Sequence, residues 1–221
     1  ITFITLLIST SALVRKRVAV IVAIVAAVVG VIRWGRHRKD SRQVQLLALA
    51  QIIGIIAQIV VGGISVLTHL NPFVVGAHFL ISIILISTTL SLRQRMLEAP
   101  RVSLQPLTKK LSLVVLAISF LVISLGVIVT GSGPHAGDVM AKRFHIDPRT
   151  ISWLHADSVI ALICLSFALF LLIKSTESPE VRHSAQRAIS IFLFICLGQG
   201  FIGYTQYFSG LPELLVGAHL L

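Results

Sequence analysis

Charge is scarce in this sequence. Only 12% of its 221 residues are Asp, Glu, Lys or Arg, against about 25% in an ordinary soluble domain. That scarcity excludes a water-soluble globular chain. Cysteine is nearly absent. Cys164 and Cys196 are the two copies, and each lies inside an apolar run. A disulfide framework or a cysteine metal cluster is therefore not expected, and both read as small packing residues. Aromatics are 7% of the chain. No basic stretch is studded with them, so the net charge of +11 does not describe a nucleic-acid module.

What the sequence has instead is long apolar runs. Hydrophobic residues make up 56% and mean hydropathy is +0.95. Runs at 1–14, 18–33, 44–67, 73–92, 111–131, 151–173 and 188–208 are followed by a shorter one at 211–221. Most are long enough for a bilayer core of about 30 Å. The fold class expected is all-α, a polytopic membrane protein. The last run has eleven residues, reaching about 16 Å at ~1.5 Å per residue. The first run opens directly on apolar ITFITLL. Both termini are thus expected to fall inside helices of a longer protein.

The basic residues sit between the runs. The connections 33–43, 91–110 and 174–187 hold five, five and three Lys or Arg. The alternate connections 68–72, 131–149 and 207–212 hold none, three and none. This bias places the first set in the cytoplasm and the histidine-bearing loops outside. Arg15-Lys16-Arg17 lies between the first two runs and fits no simple single-span reading.

An internal repeat carries the functional information. Shifted by 141 residues, QIVVGGISVLTHLNPFVVGAHFL (58–80) lies on QGFIGYTQYFSGLPELLVGAHLL (199–221) without a gap. Eight of 23 positions are identical, including Gln58 with Gln199, Gly62 with Gly203, Leu70 with Leu211, and His78 with His219. Matched Gln, Gly and His are harder to obtain by chance than matched Leu or Val, so this is a duplication. An even number of spans separates the copies. The expected architecture is two parallel-repeat four-helix bundles, eight spans in full and about seven represented here. The halves are 1–92 and 111–221, joined by a cytoplasmic linker at 93–110.

Each copy brings a histidine into a helix near its outer end. His155, in ISWLHADSV, enters another helix of the second half at similar depth. Two imidazoles at one depth on neighbouring helices of a bundle suit axial ligation of haem iron. Zinc usually takes four ligands, and no such cluster is written here. In the first half, the position 64 residues before His78 is Val14. His78 therefore has no partner histidine in this sequence, and the halves are chemically unequal.

At these residues the sequence resembles haem A synthase, a membrane enzyme family of cytochrome oxidase assembly. GGISVLTHLNPFVVGAHFLIS (62–82), VTGSGPHAGD (129–138), DPRTISWLHADSV (147–159) and GYTQYFSGLPELLVGAHLL (203–221) carry the resemblance. It extends from about residue 44 to the end and implies that the first span lies upstream. The family oxidises a ring methyl of haem O to a formyl group and uses haem B. The resemblance implies that His155 and His219 hold haem B and that His78 faces the substrate haem, each as an iron ligand. It implies haem O as substrate, haem O synthase and membrane lipid as partners, and a bacterial plasma membrane. Arg149, with Lys142 and Arg143, is a candidate for haem propionates, and His135 for a contact behind the ligands or to a propionate. Two other readings use the same residues. One is a non-catalytic membrane cytochrome b passing electrons from quinone. The other is a parallel-repeat transporter with proton-relaying histidines.

Overall fold

A computed structural model describes residues 41–98, 103–134 and 141–220, with seven positions between 19 and 33. Val14, Arg15-Lys16-Arg17 and His135 lie outside the described residues. Six helices follow in order: α1 (Ser41–Leu67), α2 (Pro72–Met96), α3 (Pro106–Ser132), α4 (Pro148–Thr176), α5 (Pro179–Phe208) and α6 (Glu213–Leu220). No strand occurs among the described residues. The first five are long and apolar enough to cross a membrane, with mean hydropathies of 1.7 to 2.9. The chain is an integral membrane protein by this measure.

Four helices begin on proline: Pro72, Pro106, Pro148 and Pro179. Proline lacks an N–H, and the first helical residue needs none. Asp147 completes the start of α4 by accepting from the Thr150 N–H at 2.8 Å and its hydroxyl at 2.6 Å. The helices outrun the apolar stretches. The span expected at 188–208 begins at Pro179 and carries Arg182 and Arg187 on its first turns. Charged residues of good helix propensity simply continue the ladder beyond the hydrocarbon. Within the spans, Ser119, Ser124, Thr130, Ser152 and Thr205 each donate to the carbonyl four residues back. Their hydroxyls are thus satisfied without water.

Contacts divide the chain into two compact units. The first holds residues 1–63 and 80–100. In it, α1 and α2 are joined by polar rungs: Gln51 donates to Thr88 at 2.7 Å and accepts from Thr89 at 2.9 Å, and Gln58 donates to Ser82. Gly54, between the two glutamines, faces Leu85 so closely that a Cβ would collide with it. A small residue flanked by amides is how lipid-embedded helices approach each other.

The second unit holds residues 64–79 and 101–221. Here α3 packs on α4, α4 on α5, and α5 on α6. The core is Val115, Leu162, Leu169, Ile173 and Ile189, with Val122, Phe192 and Cys196 packed against it. Cys196 is therefore a packing residue, as expected. Cys164 is exposed, on the outward face of α4, and both thiols are free. At the Lys/Arg-rich end, Glu177 is 3% exposed. Its carboxylate accepts from the Gln105 N–H at 3.0 Å, tying the end of α4 to the start of α3.

The repeat reappears in the backbone of its two turns. Leu70 and Leu211 both take positive φ, 54° and 59°. The Leu70 N–H donates to the Ser65 carbonyl, and the Leu211 N–H to the Gln206 carbonyl, each at 2.8 Å. The next helices start alike, with Val75 donating to Asn71 and Val216 to Pro212, both at 3.0 Å. All four pairs of positions are 141 residues apart. Each turn ends its helix with a left-handed residue and a reach-back hydrogen bond. Leucine in that conformation is uncommon, so its presence at both matched sites is a specific likeness.

Candidate functional site

The core seams change character at one level. Along α5, Ala185, Ile189, Phe192 and Cys196 recur at helical spacing and pack on the core. The same spacing continues through Gln199, Gly203 and Gln206. The buried stripe of α4 runs Ile151, Leu162, Ser166, Leu169, Ile173. His155 falls on that stripe, one turn past Ile151. In α3 the partly buried Val122 is followed one turn later by Gly126. Apolar packing thus gives way to histidine, glycine and amide towards the histidine-bearing end.

At that level the two rings meet. The centroids of His155 and His219 are 6.3 Å apart and their planes cross at 89°. His155 Nδ1 lies 3.1 Å from the Val122 carbonyl oxygen. A carbonyl can only accept, so Nδ1 carries the proton and Nε2 keeps its lone pair. Each ring also lies against a glycine. A Cβ on Gly126 would stand 3.3 Å from His155 Cε1, and one on Gly203 would stand 3.0 Å from His219 Cε1. The backbone of Gln199 is the polar group that meets the His219 ring.

Three buried polar atoms at this level have no hydrogen-bond partner: His219 Nδ1, Gln199 Oε1 and Gln206 Oε1. Such atoms are rare in folded proteins and each calls for an explanation. An amide turned about its last bond can offer either oxygen or NH₂. Two imidazoles and two amides therefore converge where one bound group could satisfy them all.

Metal–imidazole bonds are about 2 Å long, so an iron shared by two rings sets their centroids roughly 6 Å apart. The separation found matches that value. Among the described residues no group of three or more His, Cys, Asp or Glu comes together. A pair without further ligands suits a metal that arrives with four equatorial donors of its own, as haem iron does. The residues present fit the group.

The other expected residues are placed as follows. His78 is half-buried in the second turn of α2. It follows Gly76, where a Cβ would stand 2.7 Å from Val127 of α3. Arg149 is exposed in the first turn of α4, one residue from the Thr150 that Asp147 caps. Arg143 donates to the Pro134 carbonyl at 2.5 Å, which ties the loop back on itself. Phe144 packs edge-on to Phe73 at 4.8 Å and covers Gly131.

Sequence reading singled out Gln199 and Gly203 as repeat identities but gave them no role. Gly126, Gln206 and the Val122 carbonyl were not singled out at all. Comparison with protein families, with curated proteins and with solved structures finds no match.

Proposed function

We propose that this chain is a haem-binding membrane oxidoreductase of the haem A synthase type, oxidising a methyl group of haem O to a formyl group. His155 and His219 are the axial ligands of a haem B. The observation that carries this reading is the 6.3 Å separation of their rings, together with the Nδ1 contact that leaves His155 Nε2 free to ligate. The sequence resemblance adds the substrate, and the pair adds the cofactor site.

The haem supplies one-electron redox chemistry. The chain's own residues bind and orient it. Histidine from α4 and histidine from α6 fix its plane between those helices. The apolar core beneath, from Val115 to Ile189, excludes water from one edge. Gln206, near the end of α5, is placed to offer its NH₂ to a propionate, as are Arg149 and Lys142 on the same end of the unit. His78 belongs to the opposite repeat and faces the substrate haem. The proposed architecture is two parallel four-helix repeats with the histidine end on the outer side of a bacterial plasma membrane.

The test is spectroscopic. Protein expressed in haem-replete cells should carry b-type haem with a low-spin spectrum. The spectrum should disappear in His155→Ala and in His219→Ala. Either variant keeping the full low-spin spectrum refutes the ligand assignment. Supplying haem O to the full-length protein and weighing the product separates the enzyme from a pure electron carrier. Haem-loaded protein that forms neither alcohol nor aldehyde is a cytochrome b.

A further inference from the structure

The two histidines are received in the same way. On α3, Val122 and Gly126 are four residues apart; on α5, Gln199 and Gly203 are four residues apart. In an α-helix the carbonyl of residue i lies beside residue i+4, whose Cβ normally shields it. Glycine at i+4 removes that shield. In both places the imidazole lies in the gap. The nearest atom to the missing Cβ is Cε1, followed by Nδ1 and then Nε2, at 3.3, 3.7 and 3.9 Å for Gly126 and 3.0, 3.5 and 3.6 Å for Gly203. In the first gap Nδ1 reaches the Val122 carbonyl at 3.1 Å. In the second, the Gln199 backbone meets the ring, while Nδ1 is buried with no hydrogen bond closed on it.

We propose that Gly126 and Gly203 are positioning residues, each opening the carbonyl four residues before it to an imidazole Nδ1–H and thereby setting the tautomer and ligand strength of His155 and His219. The inference rests on the haem reading for its electrochemical consequence, but the tautomer is a property of the protein alone. A ligating histidine that donates its other N–H to a carbonyl is held in orientation and made more basic. Greater basicity favours ferric iron and lowers the haem potential. The device is written twice in the sequence. Gln58 and Gly62 stand in the first repeat where Gln199 and Gly203 stand in the second.

The other glycines of α5 provide the control. Gly198 and Gly200 have nothing within 4 Å of an added Cβ. Gly203→Ala, Gly126→Ala and Gly200→Ala are compared in detergent-purified full-length protein by redox titration of the haem. The expected result is an upward shift of midpoint potential in Gly203→Ala and Gly126→Ala, with none in Gly200→Ala. Unchanged potentials, a downward shift, or equal shifts in all three overturn the proposal. If Gly203→Ala alone loses its haem, the gentler Gly126→Ala decides by the same criterion. Imidazole ¹⁵N NMR of histidine-labelled protein gives a readout that needs no haem. His155 and His219 should be protonated at Nδ1 in the parent, and Gly203→Ala should shift His219 towards the Nε2–H form. Parent protein without haem but with Nδ1–H rings removes the haem reading and leaves the niches standing. Nε2–H rings in the parent overturn the niches.

Discussion

At the scale of single residues, the decisive features are atoms that lack a partner and atoms that have one. Burying an amide without a hydrogen bond costs about 1–3 kcal/mol. Gln206→Leu should therefore raise the melting temperature of haem-free protein while lowering its haem content. A variant that lowers both would show that Gln206 serves the fold instead. Asp147 supplies a pH-dependent term. Its hydrogen bonds from the Thr150 hydroxyl and N–H, with Arg149 nearby, hold its carboxyl below the usual range. A lowered carboxyl pKa contributes stability above the unfolded value, lost as pH falls through the folded one. Asp147→Ala should lower the melting temperature at neutral pH, and the gap between variant and parent should close in acid. A gap unchanged between neutral and acidic solution would rule this out. The histidines themselves were legible in the sequence, because an imidazole inside an apolar run is conspicuous. The carbonyl of Val122 was not, because every residue has one and only the neighbouring helix reveals which is used.

At the scale of elements, the helices follow from hydropathy and from their punctuation. Proline marks four of the starts, and glycine or a left-handed leucine marks the turns of the repeat. Those signals are local, so the sequence carries them openly. The register between helices is not local, and the faces that meet had to come from the structure. Gly54 against Leu85 and Gly131 against Phe144 are two such meetings. Gly131→Ala should displace the Phe144 ring, with overpacking of about 1–3 kcal/mol. Gly133→Ala, whose Cβ would meet only backbone oxygens at 3.4 Å and beyond, should cost less. Unfolding of both variants in detergent gives the comparison, and equal losses would contradict the packing described. Glu177 is the joint at the other end. Glu177→Ala leaves the Gln105 N–H unpaired, a penalty of about 1–3 kcal/mol. The same unfolding measurement reads it, and parental stability would mean that the carboxylate is dispensable.

At the scale of the whole molecule, duplication supplies likeness and divergence supplies function. The matched turns at Leu70 and Leu211 share their φ and their hydrogen bonds, which is more than shared hydrophobicity would produce. Charge bias predicts the orientation: a cysteine at Ser103 should be labelled from the cytoplasmic side and one at Thr68 from the other. Labelling of both from one side would remove the proposed topology. The second repeat brings His155 and His219 together, and the first shows His78. One centre saturated by two histidines beside one that is less so would join an electron-carrying haem to a substrate haem. The central claim is the first of these centres. Its most direct measurement is the reduced-minus-oxidised spectrum of the purified protein beside those of His155→Ala and His219→Ala. A low-spin b-type signal in the parent and none in either variant is the result predicted. A parent without a Soret band, or a variant retaining the parent spectrum, would contradict it.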